Sequence, residues 1–282
     1  MALTRRASLY YHMNNWGTES RRSANTQADF YKFSEDYRQM LALRPEEDFE
    51  NFLRLVISHV PIGAHVLELG SGTAQAAAIL RRTGFNIVAS DVSPLFLTGP
   101  ILKSLPAVSA DIGSLPFLDE TFDAVVSNEV IEHVTNIGQA LFEMARVTRK
   151  NGLVIIRAPQ LSSPIWPILD LQSLLRGRGR PPHYSDLNSA GGFFLANCKR
   201  CIRIGLSSNP VFHWREPDLS GLGGDADATY WASSVELARF LKAHSFHILN
   251  RAEVGRMFSR SWFIGILFPW LHTTIAIVAR KS

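Results

Sequence analysis

Three groups of residues have types and spacings suited to chemistry. The first is the run His65-Val-Leu-Glu-Leu-Gly-Ser-Gly-Thr-Ala-Gln75. Its β-favouring Val66, Leu67 and Leu69 lead into a turn at Gly70 and Gly72, where a Cβ would obstruct, and then into an Ala-rich helix former, Gln75 to Arg82. Such a turn presents free backbone N–H groups to a ligand, and open parallel sheets bind ligands at this carboxyl end of the strand. The second is Asp91, delivered by the predicted strand Phe85-Asn-Ile-Val-Ala-Ser90. Its distance behind Gly70 is that of a βαβ unit whose second strand offers a carboxylate to a ribose diol. The third is Glu129-Val-Ile-Glu132-His133. Histidine is a side-chain type suited to proton transfer near neutrality, and the carboxylates are of the type a hard cation takes.

The elements that must position these groups emerge from pattern. Pro45, then Glu46, Glu47 and Asp48, open a helix with Phe49, Phe52, Leu53, Val56 and Val60 as its apolar stripe. Arg81-Arg-Thr-Gly84 ends the helix after the turn, and Ala107 to Ser109 is a short third strand. Glu120 to Ser127 leads through the fourth strand. Asn136 with Gln139 is a capping box for a helix running to Thr148, and Gly152 to Ala158 is the fifth strand. Ser233-Ser-Val-Glu236 caps a further helix, Phe246 to Val254 is a strand, and Thr273 to Lys281 closes the chain as another.

The glycine turn alone does not choose its ligand. Dinucleotide turns need a third glycine, and Gln75 stands at that position; many methyltransferases have a glycine where Ala74 stands. The motifs downstream of the turn decide. Glu68-Leu-Gly70-Ser-Gly72-Thr resembles the first motif of class I S-adenosylmethionine-dependent methyltransferases, and Asp91-Val-Ser-Pro94 the second. The series Asp111-Ile-Gly-Ser-Leu-Pro-Phe117, Phe122-Asp123 and Ser127-Asn-Glu-Val-Ile-Glu-His-Val134 is similar to the methyltransferase-11 type. Lys150-Asn-Gly152 departs from the Pro-Gly-Gly turn usual there.

This resemblance implies an α/β, Rossmann-like seven-stranded sheet with its last strand antiparallel, helices on both faces and a capping insertion after the fifth strand. It implies S-adenosylmethionine as cofactor and S-adenosylhomocysteine as product. By its pattern Glu68 lies near the methionine amino end, Gly70, Ser71 and Gly72 lie under the cofactor, and Asp91 lies on the ribose. Val92, Asp111 and Ile112 surround adenine, Asn128 completes the cofactor set, and Asp123 is structural. His133 with Glu132, just past the fourth strand, is the expected base. No metal is assigned; the alternative, an RNA-end methyltransferase, takes a divalent ion at Glu129, Glu132 and His133, with Asp225 or Asp227 approaching from the insertion.

Composition bounds the rest. A chain of 282 residues with 46% hydrophobic and 19% charged residues has ample core for one domain. We divide it into an arm or lid over 1–44 and a cofactor-binding domain over 45–282, with a substrate-side insertion at about 160–228. The net charge of +4 does not demand nucleic acid as a partner. Cys198 and Cys201 form no disulfide framework, and no apolar run comes after Arg5 and Arg6, so a cytoplasmic location without a secretory signal is expected. The insertion carries the basic run Arg176 to Arg180 and further bases at His183, Tyr184, His213 and, at its edge, Tyr230. Trp262 to Ala279 lacks charge, and 256–272 offers a surface for peripheral membrane contact. The reading is methyl transfer to a hydroxyl or amine of a small-molecule or lipid-like acceptor. A nucleotide-dependent oxidoreductase and a non-catalytic interaction protein are its rivals.

Overall fold

The computed structural model describes residues 27, 29–169, 187–219, 225, 227–250 and 272–282. The arm before residue 27, the Arg176 to Arg180 run, His183, Tyr184 and the stretch 251–271 lie outside them.

Seven strands form one sheet in the order β3-β2-β1-β4-β5-β7-β6. They are β1 (His65–Leu69), β2 (Asn86–Asp91), β3 (Ala107–Ser109), β4 (Phe122–Asn128), β5 (Thr148–Pro159), β6 (Phe246–Asn250) and β7 (Thr274–Lys281). β1 to β5 pair in parallel, while β7 enters antiparallel between β5 and β6. The period of two divides each strand between two cores. Leu67, Leu69, Val125, Val154 and Ile156 pack under α4 (Ile137–Val147) and α6 (Ser234–Ala243). Val66, Ala124, Val126, Leu153 and Ile155 pack under α2 (Glu50–His59) and α3 (Gln75–Thr83). Burial on both faces explains why the strands read as nearly continuous apolar runs. A short helix, α1 (Glu35–Ala42), precedes the sheet, and α5 (Leu187–Leu206) lies beyond the fifth strand.

The caps form with one change. Asn136 Oδ1 accepts from the Gln139 backbone N–H, but the Gln139 amide donates to the Gly113 carbonyl at 3.2 Å, tying the start of α4 to the loop after Asp111. Two boundaries are corrected. Pro45 precedes a 3-10 turn, Glu46–Phe49, and the α-helix starts at Glu50. Lys150-Asn-Gly152 is not a turn before the strand but a bulge within β5: the register jumps from Thr148 opposite Phe122 to Leu153 opposite Ala124. A Cβ at Gly152 would come within 2.9 Å of the Asp123 carbonyl, so the bulge requires glycine. Asp123 accepts from the His65 N–H at 2.8 Å and from Arg149 at 2.7 Å, the structural place expected for it.

Candidate active site

The turn after β1 is strained in the way only glycine accepts without penalty. Gly70 and Gly72 hold φ of +62° and +52°, and a Cβ on Gly70 would sit 2.4 Å from a methyl of Val130. The turn therefore packs directly on the loop after β4. Asp91 fastens its other side: one carboxylate oxygen accepts from the Gly72 N–H at 2.8 Å and the other from the Ser93 N–H at 2.9 Å. Each oxygen keeps a second lone pair for a ligand hydroxyl. Asp91 is buried, and its pKa is raised by that burial against the pull of the backbone donors.

A cavity of about 450 Å³ opens above this turn, within the range of about 300–1,000 Å³ usual for small-molecule sites. Glu68, Gly70, Ser71 and Gly72 line it, as do Asp91 and Val92. So do Asp111, Ile112, Asn128 and His133. Asp91 and Asp111 thus share one hollow. Asp111 holds its own loop by accepting from the Gly113 N–H at 2.7 Å, and Asn128 accepts from Arg157 at 3.0 Å. Glu68 is almost fully buried with Oε2 unbonded, and burial pushes its pKa up to about 8. The Ser71 hydroxyl is likewise buried and unbonded.

The far end of the cavity is assembled from distant parts of the chain. Tyr31 donates its hydroxyl to Asp227 at 2.6 Å, and its oxygen lies 3.1 Å from His133 Nδ1. That one phenolic proton is committed to Asp227, so the Tyr31 oxygen is placed to accept from Nδ1–H, which in the neutral ring leaves the lone pair on Nε2. Asp227 lies 3.6 Å from Nδ1, and Glu132 lies 3.7 Å from Nε2. Glu132 itself is 2% exposed, does not line the cavity, and neither of its oxygens accepts a hydrogen bond. Its pKa is raised well above the carboxylate range, by burial first and then by Asp225.

Glu129 is not free to join this group. It stands at φ +57°, and Arg44 at 3.0 Å and Arg157 at 2.8 Å take its two oxygens. Among the described residues, the set whose ligand atoms come within 4.8 Å of one another is Glu132, His133 and Asp225, so Asp225 stands where Glu129 was expected in a cation set. Of the other candidate bases, the Tyr230 hydroxyl donates to the Thr135 carbonyl, and His213, its pKa pushed down to about 4 by burial, is not among the cavity residues.

Several lining residues had no individual role assigned from sequence, although all belong to the arm or lid over 1–44: Gln27, Tyr31, Tyr37, Met40 and Arg44. Of these only Tyr31 and Tyr37 stand out in the sequence, as aromatic residues of that arm. Gln27 donates to the Asp227 carbonyl at 2.8 Å and accepts from Thr229 at 2.8 Å, which joins the N-terminal segment to the end of the insertion.

A seven-stranded sheet with one antiparallel strand, and a glycine-turn cavity flanked by two strand-end carboxylates, define the class I methyltransferase fold. A family model described as a methyltransferase domain matches residues 67–156. The chain is 38% identical over 171 residues to a demethylmenaquinone methyltransferase of Mycobacterium sp. (strain KMS), covering 60% of this chain and 68% of that protein. It is 33% identical over 139 residues to the demethylmenaquinone methyltransferase of Mycolicibacterium paratuberculosis (strain ATCC BAA-968 / K-10), covering 49% and 60%. For several such relatives the match spans only 40% to 60% of their length. In fold it is similar to the Burkholderia thailandensis 1,6-didemethyltoxoflavin-N1-methyltransferase, solved with 1,6-didemethyltoxoflavin and S-adenosylhomocysteine. The TM-score is 0.54 at 16% identity, covering 95% of this chain and 92% of that one. The chain belongs to the class I S-adenosylmethionine-dependent methyltransferases, with a methyltransferase-11 type domain.

The residues present fit that cofactor. The buried, unbonded Glu68 Oε2 and Ser71 Oγ lie where polar ligand groups would satisfy them, and both belong to residues lining the cavity.

Proposed function

We propose that this chain transfers a methyl group from S-adenosylmethionine to a hydroxyl or amine of a small, largely apolar acceptor. The observation that carries the reading is a single cavity with the glycine turn, Asp91 and Asp111 at one end and His133 with Asp227 at the other. The cofactor supplies an electrophilic methyl on a sulfonium whose departure neutralises charge. Asp91 would hold the ribose hydroxyls, Asp111 and Ile112 the adenine, and Glu68 the amino end. His133, protonated at Nδ1, would take the acceptor's proton at Nε2. Asp227, 3.6 Å from Nδ1, and the Tyr31 hydroxyl oxygen, 3.1 Å from it, would hold the ring with Nε2 turned to the acceptor.

Met40, Leu41, Phe49, Phe96 and Val130 give the cavity its apolar wall, which suits a lipid-like acceptor and excludes water from the transfer. The N-terminal segment, pinned through Gln27 and Tyr31, would serve as a lid. The names of the relatives point likewise to a small organic acceptor. Incubation of the chain with labelled S-adenosylmethionine and a panel of phenolic, quinol and amine acceptors tests this. Transfer to one class, lost in His133→Gln with S-adenosylhomocysteine affinity kept, supports it; no label transfer to any acceptor removes it.

A second reading places a divalent cation among Glu132, His133 and Asp225, favoured by the two buried Glu132 oxygens that lack donors. Calorimetry with Mn²⁺ alone decides it, since binding should disappear in Glu132→Gln and survive in Glu129→Gln.

A further inference from the structure

Helix α5 has an outward face that water does not explain. Its inward side is anchored: Ala190, Asn197 and Ile204 are buried, the Asn197 amide donates to the carbonyls of Leu161 at 3.2 Å and Ser163 at 2.8 Å, and Phe193 meets Trp231 edge-on at 4.8 Å. A helix so docked is expected to be polar on its opposite side. Instead Leu195, Ile202 and Leu206, seven and then four positions apart, form an apolar ridge there. They are 60%, 62% and 83% exposed. Phe194 is also exposed, about 100° around the helix from Leu195.

The charge on this helix has one sign. Leu187–Leu206 contains no Asp or Glu, while Lys199 and Arg203 are exposed beside the ridge and Arg200 lies on the same flank. Arg200 and Arg215 share the Trp231 ring, with guanidinium carbons 4.0 and 5.4 Å from its centroid. The partners of Arg200 are Asn197, His213 and that ring, none of them a carboxylate. The field is felt nearby: the lowered pKa of His213 is due to burial first and then to Arg200 and Arg203. Among the described residues no helix is long and apolar enough to cross a membrane, so the ridge is not part of a span.

We propose that α5 is an interfacial membrane-docking helix, which sets Leu195, Ile202 and Leu206 into an anionic bilayer surface while Lys199 and Arg203 meet lipid phosphates. The chemistry selects the occupant. An exposed apolar ridge whose charged neighbours on its own helix are all cations matches the boundary between acyl chains and anionic headgroups, where long basic side chains reach outward to phosphate. A second copy of this helix would set cations against cations. The surface is separate from 256–272, and the docking does not depend on the methyltransferase reading.

The test is co-sedimentation of the full chain with vesicles of phosphatidylcholine alone, or with about one third phosphatidylglycerol, at low and high salt. The chain is expected to pellet with the anionic vesicles and far less with neutral ones. Lys199→Gln with Arg203→Gln should weaken partitioning about fivefold per cation removed. Leu195→Ser with Ile202→Ser should weaken it at least about tenfold. All four positions are exposed, so circular dichroism and S-adenosylhomocysteine affinity should be unchanged, which keeps a failure here distinct from a failure of the cofactor reading. Absence of pelleting overturns the proposal, as does pelleting that both double variants leave intact. A concentration-dependent dimer without vesicles, abolished by the serine variants, would assign the ridge to a second copy and also overturn it.

Discussion

The two ends of the cavity are built in opposite ways. At the turn after β1, one short stretch supplies the scaffold: a strand, two glycines and a helix start, with Asp91 nineteen residues beyond Gly72 closing the loop by a bond to its N–H. At the other end, Tyr31 reaches His133 across a separation of 102 residues and Asp227 across 196. The first end is a local device whose geometry exists as soon as β1 and β2 pair. The second exists only when the N-terminal segment, the loop after β4 and the end of the insertion have all docked. The difference also shows in electrostatics. Asp91 has two backbone donors, whereas Glu132 has none and sits among Asp225, Asp227 and Glu129.

Breaking the local end should have the largest effect. Asp91→Ala removes both bonds that shape the turn and the proposed ribose acceptor, so S-adenosylhomocysteine affinity should fall by about a hundredfold or more. Thermal stability should fall with it, because the Gly72 and Ser93 donors lose their partner. Affinity retained in calorimetry would detach Asp91 from the cofactor.

At the assembled end the effects should appear in turnover instead. His133→Gln should lower kcat by about 10²–10⁴ with S-adenosylhomocysteine affinity unchanged. An affinity loss equal to the turnover loss would place His133 at the cofactor rather than at the acceptor. Tyr31→Phe deletes the donor to Asp227 and frees the Nδ1 tautomer, and should lower kcat by about tenfold. Turnover at the parent level in that variant would separate the N-terminal segment from catalysis.

The smallest effect is also the sharpest discriminator of the cofactor end. The folded chain keeps the Glu68 proton up to about pH 8, whereas the unfolded chain releases it near the ordinary 4.5. The folded state therefore binds more protons between those values, and this group makes stability fall as pH rises through that window. Glu68→Gln should flatten the slope in thermal melts taken from pH 5 to 8. A ligand ammonium beside Glu68 restores its ionised form, so S-adenosylmethionine binding at pH 7 should release protons. Calorimetry in buffers of different ionisation enthalpy reads that release, which Glu68→Gln should abolish.

Legibility divides along the same line. Apolar runs and glycine-marked turns gave the strand positions, the family resemblance implied the antiparallel end, and the turn-to-Asp91 distance was a matter of counting. Glu129 was misplaced in the cation set because its fate depends on Arg44 and Arg157, which approach from other elements. The β5 bulge was hidden because Lys150-Asn-Gly152 is turn-like by composition, and only pairing with β4 keeps it within the strand.

Residue order alone determined the sheet, the turn and the carboxylates at its edge, since hydrophobic period, glycine conformation and short-range spacing act within a few tens of residues. Tertiary structure alone decided which acids surround His133, which tautomer it holds and which side of α5 stays uncovered. Those depend on contacts between segments far apart in the chain, and no local preference encodes a contact whose two halves meet only after the core has closed.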